Sequence, residues 1–349
     1  MKVGLIGCGF IGHKHVNSLL QAKGMEIAAI CDMSEMSLSR MKEKLQEQQG
    51  ANETLRTYTD YSELLDDEDI DIITIAVNSG LHGRIAKEAL IHGKHVIVEK
   101  PMALSLQEAR EMNRLSEAFG GKLAVCHQKR FFSHLIELKR IVSRGGFGEL
   151  LFGSVQLSYN RNDAYYEQAK WRGTWEMDGG VLLNQAIHNL DLMLWLLGEP
   201  VEAYGVIQRR MRKIEAEDSA SGIVRLASGA IMQIQATVCS HPDASQEKIE
   251  LIGSQGSVQL SGKWMENVDR WKLQEHLPIT YQEVDPYVQL YSDIKKSISQ
   301  AEQPFVSGAE GIRALEVIMA LYQSSISGRP VKFPIQDFST LEMRSNEPY

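Results

Sequence analysis

The sequence has no run of apolar residues approaching the ~18 that a membrane-spanning helix needs. Its N terminus also lacks a basic-then-apolar leader, because Lys2 is followed almost at once by a glycine-rich turn. A cytoplasmic protein with no membrane partner is expected. Basic charge is scarce too: 37 Lys and Arg stand against 45 Asp and Glu, for a formal net charge of -8. A nucleic-acid surface would instead show a concentrated Lys/Arg patch, so small-molecule or protein partners are favoured and no nucleic acid is expected. The four cysteines, Cys8, Cys31, Cys126 and Cys239, have no C-x-x-C spacing. They suggest neither a metal site nor a disulfide framework, and read as small buried thiols. Internal repeats and low-complexity segments are absent as well.

What is present divides in two. At 349 residues two domains are expected, since single cores usually stop growing near ~250–300 residues. Up to about residue 128, short Val- and Ile-rich runs ("KVGLIG", "MEIAAICD", "IDIITIAV", "KHVIVEK", "KLAVCH") alternate with amphipathic stretches such as "LHGRIAKEALIHG". Near-continuous apolar strands separated by helices predict a doubly wound parallel sheet. From 129 to 349 the texture changes. "VEAYGVIQRRM", "DSASGIVRLASGAIMQIQATV" and "QEKIELIGSQGSVQLSG" alternate apolar and polar residues between Ser-Gly and Gln-Gly turns, predicting antiparallel strands with one solvated face. Within this half one helix is expected from about Val181 to Leu197, and a late one ends on a glycine stop before "RPVKFP". The fold class is therefore α/β: a Rossmann dinucleotide-binding domain, then an α+β domain on a large, mostly antiparallel sheet. The last helices are free to pack back on the first domain.

Gly7, Gly9 and Gly12 spell G-x-G-x-x-G between a strand and a helical pattern. In that context the motif makes a tight turn, a close backbone approach to a pyrophosphate and a helix N terminus facing the anion. Asp32 lies twenty positions beyond Gly12, where its carboxylate can accept hydrogen bonds from an adenosine ribose and repel a 2'-phosphate. NAD is preferred over NADP. "KHVIVEK" sets Lys100 at the carboxyl end of a core strand, where ligands of open parallel sheets sit, and Pro101 fixes the turn behind it. Such a lysine can hydrogen-bond a substrate oxygen or exchange a proton with it, or it can be an ordinary loop residue. On a regular helix Asn184, His188 and Asp191 fall at i, i+4 and i+7, one polar stripe on an otherwise apolar helix. His188 then acts as general acid or base, Asp191 sets its tautomer and Asn184 grips a hydroxyl; a structural role for the stripe stands equally open.

With these pieces in order along nearly the whole chain, the sequence resembles the Gfo/Idh/MocA family of NAD(P)-dependent sugar oxidoreductases. The resemblance is carried by "GLIGCGFIGHKH", "LHGRIAKEALIHGKHVIVEKPMALS", "CHQKRF", "WRGTWEMDGGVLLNQAIHNLD", "ELIGSQGSVQL" and "VSGAEGIRALEVIMALYQSSISGRPV". It implies catalytic roles for Lys100 and His188. It also implies cofactor contacts from Gly7, Gly9, Phe10, Ile11, Gly12, Asp32, Asn78, Ser79, His82, Glu99, Lys100, Pro101, Gln128, Trp171 and Arg172, with Arg130 near the nicotinamide side. Asn184, Gln185, Asp191, Tyr159 and Arg172 are implied on the substrate, and the open face of the second sheet is implied to build a homodimer or homotetramer. Two departures stand out: Val77-Asn78-Ser79 replaces the Thr-Pro-Asn turn of many members, and Asn184 replaces the aspartate that inositol dehydrogenases carry four residues before the histidine. The Asn-Gln-x-x-His pattern, with "YYEQAKWRGTW", looks most like the subgroup oxidising hexose C3 hydroxyls, including nucleotide-sugar 3-dehydrogenases. Open beside this are an inositol dehydrogenase, glycoside cleavage with retained NAD, and a non-catalytic NAD-binding regulator. Arg161, Lys170 and Arg172 are candidates to grip a phosphate or carboxylate, or form a solvated edge.

Overall fold

The computed structural model describes residues 1–49, 54–274 and 285–345. The chain divides into two compact units. The first comprises Met1–Ala103, Glu108–Gln128 and Val284–Gly311, and the second Leu104–Gln107, Lys129–Glu283 and Ile312–Tyr349.

The first unit is built on six parallel strands in the order β3-β2-β1-β4-β5-β6: β1 Lys2–Ile6, β2 Glu26–Cys31, β3 Arg56–Tyr58, β4 Ile72–Ile75, β5 His95–Val98 and β6 Leu123–Val125. Helices cover both faces of such a sheet, so its strands need apolar side chains on both. All four residues of β4 are buried, as are all but the first of β2. The order reverses between β1 and β4, which makes the ends of these two strands the switch point where ligands of doubly wound sheets sit. β3 is a three-residue edge strand with no apolar run to announce it. Helix Pro286–Gln300 belongs to this unit and packs on helix Phe10–Leu19, tied by a 2.6 Å hydrogen bond from Ser18 Oγ to Asp285.

The second unit carries an eight-stranded sheet ordered β13-β12-β11-β7-β10-β9-β8-β14. Its strands are β7 Leu150–Ser158, β8 Pro200–Gln208, β9 Ser219–Leu226, β10 Ile231–Thr237, β11 Gln246–Gly253, β12 Gly256–Ser261, β13 Asn267–Lys272 and β14 Val331–Lys332. Every pairing is antiparallel except β7 with β10. Burial alternates strictly along β9 and β10, as a sheet with one covered face requires. The late helix runs Gly308–Ser327 and stops at Gly328, whose φ of +64° suits glycine. Among the described residues, no helix is long and apolar enough to cross a membrane. The cysteines are unbonded thiols; Cys8, Cys31 and Cys126 are buried, whereas Cys239 is only half-buried.

Candidate active site

β1 ends in a turn that only glycine can make. Gly7 has φ +102°, and a Cβ there would meet the Ala76 carbonyl oxygen at 2.4 Å, the close approach that joins the ends of β1 and β4. Gly9 is different, since a Cβ there would meet no protein atom within 4 Å. Its bareness does nothing for the protein's own packing and leaves a smooth cradle at the start of helix Phe10–Leu19, which suits a pyrophosphate. Phe10 is exposed beside it and Ile11 half-buried. Asp32, just past β2, closes the turn: its carboxylate accepts from Cys8 N at 2.8 Å and from Ser34 N at 2.9 Å.

Two further strand ends contribute. Asn78 and Ser79 follow β4, and Gln128 follows β6. Asn78 Oδ1 and Gln128 Oε1 are buried without a hydrogen-bond partner among the described residues. Buried amide oxygens normally find a donor, so these two suit a ligand that brings its own N–H or O–H groups. With the Gly9 cradle and Asp32 they fit a dinucleotide such as NAD.

At the end of β5, Glu99 is buried among polar partners. It lies 3.2 Å from His15 Nε2, accepts a 2.9 Å bond from Tyr287 Oη, and takes the backbone N–H of Lys100 at 3.1 Å. Burial opposes its ionisation, but His15, the Lys100 charge and the Tyr287 bond outweigh that and hold its pKa down to about 2. A carboxylate fixed in this way anchors the backbone from which Lys100 rises. The Lys100–Pro101 peptide is cis, and the Lys100 side chain is half-buried. His15 also contacts Tyr291 Oη at 2.8 Å, and that hydroxyl lies 3.1 Å from Thr74 Oγ1. Cys126 joins His15 and Glu99 in a group whose ligand atoms lie within 4.8 Å of one another, with the His15 and Glu99 atoms already engaged by the two tyrosines.

His82 requires a correction. It was expected on the cofactor, but it is buried, with Nδ1 2.7 Å from the Pro101 carbonyl and Nε2 3.1 Å from the Val77 carbonyl. The ring lies between the loops after β4 and β5, and in its neutral form its single N–H donates to one of the two carbonyls. Burial pushes its pKa down, against the pull of the two carbonyls and Glu99.

The second unit holds the helix with His188, and its first turn departs from expectation. Residues Leu182–Ala186 form a π-helical turn before the α-helix Ile187–Leu197. Leu183, Ile187, Leu190, Leu194 and Leu197 are buried as the spacing required, while Asn184, Gln185 and His188 are half-buried. Asp191 does not share their face. It is fully buried, and its two oxygens accept from Arg130 Nε at 2.8 Å and Nη2 at 2.6 Å, a bidentate pair inside the core. A substrate contact from Asp191 is thereby ruled out, and Arg130 is a structural counter-ion. His188 and Asp191 stand three residues apart on the regular α-helix downstream of the π turn, and it is the pairing with Arg130 that holds Asp191 in the core.

Asn184 Nδ2 donates to Asp178 at 2.5 Å, Gln185 Nε2 donates to Asn184 Oδ1, and Arg161 Nη2 donates to Gln185 Oε1 at 3.1 Å. Tyr159 and Trp171 flank this row, with the Arg161 guanidinium 5.2 Å from the Tyr159 ring and that of Arg172 4.8 Å from Trp171. Beneath it lies Glu217, unannounced by any motif. Its Oε1 accepts from Leu182 N at 2.9 Å and Tyr322 Oη at 2.8 Å.

A glycine cradle at the switch point, the Asp32 carboxylate beside it and a lysine on a fixed backbone are the parts of a dinucleotide-dependent oxidoreductase. Comparison with known proteins narrows this: residues 1–127 match the family model described as "Oxidoreductase family, NAD-binding Rossmann fold", and residues 135–259 the "GFO/IDH/MocA C-terminal domain". The chain belongs to the Gfo/Idh/MocA family of NAD-binding oxidoreductases. It is similar to the WlbA dehydrogenase of Bordetella pertussis, solved in complex with NADH and UDP-GlcNAcA, with 30% identity, a TM-score of 0.87, and coverage of 96% of this chain and 99% of that one. It is 27% identical to the myo-inositol 2-dehydrogenase of Thermotoga maritima, over 95% of this chain and 98% of that protein. With the D-apiose dehydrogenase of Rhizobium rhizogenes it shares 25% identity, over 95% and 97% respectively.

Proposed function

We propose that this protein oxidises a hydroxyl of a sugar or polyol, with residues 1–128 as the cofactor domain and 129–349 as the substrate and oligomerisation domain. The observation that carries the reading is Lys100 at the carboxyl end of β5, its backbone N–H held by an ionised Glu99. Gly7, Gly9, Phe10, Ile11, Gly12 and Asp32 hold the NAD, with Asn78, Ser79, Gln128, Trp171 and Arg172 completing its surroundings. When bound, NAD supplies the hydride acceptor; the redox chemistry is the cofactor's and the proton management is the protein's. Lys100 and His188 share the proton of the reacting hydroxyl: one polarises the oxygen while the other takes its proton, and both reverse roles for reduction. Asn184, Gln185 and Tyr159 orient the sugar. Asn184 cannot itself take up a proton, because an amide has no titratable group in this range.

The substrate pattern is closest to hexose C3 or nucleotide-sugar oxidation, and the WlbA likeness supports that direction. The protein works in the cytoplasm as a homodimer or homotetramer. The second sheet supplies the face: Tyr204, Ile223 and Val206 are each more than two-fifths exposed, and Tyr204 is paired directly across β8 and β9 with Ile223. An exposed apolar sheet face of this kind is a common subunit interface. The test is NADH absorbance from purified protein and NAD against hexoses, inositols, sugar acids, glycosides and UDP-hexosamines, with glycoside cleavage followed alongside. Reduction of NAD by one class supports the reading; cleavage without NADH, or binding of NAD with no turnover at all, overturns it.

A further inference from the structure

We propose that Arg161 and Arg172, both stacked on Tyr165, form a seat for an oxyanion, a carboxylate or phosphate, carried by the sugar substrate. The proposal deepens the dehydrogenase reading above and rests on it. The short helix Asp163–Glu167 holds Tyr165, with Asn162 Oδ1 accepting from Tyr165 N at 3.1 Å. Over the Tyr165 ring stand two guanidinium groups, Arg172 at 4.3 Å from the centroid and Arg161 at 4.8 Å. Arg172 Nη1 also donates to the Tyr165 hydroxyl at 2.5 Å. Aromatic stacking of this kind removes rotamer freedom, so each planar fork is set before any ligand arrives.

Among the described residues, neither fork bonds a carboxylate. Each guanidinium has five N–H donors, of which the side-chain bonds to Gln185 and Tyr165 use one apiece. Both Nε atoms are buried with no acceptor among the described residues. Other arginines pair with acids, as Arg130 does with Asp191, Arg313 with Glu199 and Arg344 with Glu215, or with backbone carbonyls, as Arg209 and Arg212 do. The acid nearest in sequence to Arg172 with a buried carboxylate, Asp178, accepts instead from Gly173 N at 2.8 Å and from Asn184. Two half-buried cations without a carboxylate carry a desolvation penalty that an oxyanion offsets and a neutral hydroxyl does not. Gln185 ties this seat to the chemistry: it takes Arg161 on one side and reaches Asn184 on the other, within the turn that leads to His188. A sugar whose acidic group sits on the arginines therefore presents its ring to the Asn184–His188 segment.

The test uses the full-length protein with NAD. Steady-state kcat/KM is compared for glucose and myo-inositol against glucuronate, glucose 6-phosphate and UDP-glucose, in wild type, Arg161→Met, Arg161→Lys and Arg172→Met, with circular dichroism to confirm folding. An acidic sugar should be preferred to glucose by about tenfold or more, and Arg161→Met should reduce that preference about 10- to 100-fold, the worth of one charge-assisted bond. Arg161→Lys, which keeps the charge and loses the fork, should fall between. A carboxylate preference points to sugar acids, a monophosphate preference to sugar phosphates, and a preference for UDP-glucose to nucleotide sugars. Equal use of neutral and acidic sugars, or a preference that survives in folded Arg161→Met and Arg172→Met, overturns the seat. If no sugar yields NADH, the dehydrogenase reading fails separately, and calorimetry of the same anions decides the seat alone: binding abolished by Arg161→Met sustains it, and no anion binding overturns it.

Discussion

Glu217 lies fully buried beneath the turn that carries Asn184 and Gln185, and its burial makes a quantitative prediction about stability and pH. Desolvation lifts its carboxyl from the ordinary 4.5 to about 7, helped by the charge of Asp178 and resisted by the bonds from Leu182 N and Tyr322 Oη. Because the folded pKa is the higher one, the folded chain binds the extra proton. The stabilisation is complete below about pH 4.5 and is lost as the pH rises through 7. At 1.36 kcal/mol per unit the displacement amounts to about 3 kcal/mol. Glu217→Gln keeps a carbonyl oxygen for Leu182 and Tyr322 and abolishes the titration. The stability difference between wild type and variant should therefore shift by about 3 kcal/mol in the variant's favour between pH 4.5 and 8.5. Urea unfolding followed by tryptophan fluorescence is suited to the measurement, since Trp171, Trp175, Trp195, Trp264 and Trp271 all belong to the second unit. Parallel stability curves for the two proteins across that range would refute the reasoning.

Three other outcomes are expected. Gly9→Ala should leave thermal stability within about 0.5 kcal/mol of wild type yet weaken NAD binding about tenfold or more, whereas Gly7→Ala should cost at least about 1–3 kcal/mol through its positive φ alone; calorimetric melting and NAD titration separate the two. Asp191→Asn leaves the Arg130 charge buried without its counter-ion and should cost about 3–5 kcal/mol, read by the same urea titration; a loss under about 1 kcal/mol would contradict the core pairing. Lys100→Ala and His188→Ala should each lower kcat about 10²- to 10⁴-fold while NAD affinity stays within about threefold, and equal loss of both quantities would make the residues structural.

How far these features could be read from sequence depends on how local their causes are. The strands of the first sheet are continuous apolar runs because both faces are covered, and the glycine turn and Asp32 are tied to those strands by short, fixed spacings, so all of them were legible. β3 was not, because an edge strand of three residues, none of them buried, leaves no apolar pattern. Alternation revealed the second sheet but not strand direction, which left the parallel β7–β10 pairing unseen. Asp191 was misplaced because its partner Arg130 lies 61 positions away, and no local pattern announces a pair that buries the carboxylate. The partners of Glu99 escaped notice for another reason: His15 and Tyr287 stand 84 and 188 positions from it, and nothing near either one announces the carboxylate.

The π-helical turn at Leu182–Ala186 has a consequence for how such an enzyme can change. A π turn holds one residue more than an α turn needs, and it survives here between two anchors, Glu217 on Leu182 at one end and Arg130 on Asp191 at the other. Removing a single residue from it would restore regular winding and leave the flanking segments in nearly the same rotation, because the wider turn absorbs its extra residue locally. Within the turn itself, Asn184 and Gln185 would change register against the histidine without a substitution at any of the three. The arrangement of this site is thus encoded partly in the length of a segment, and a one-codon deletion could alter what it handles more abruptly than any exchange of side chains.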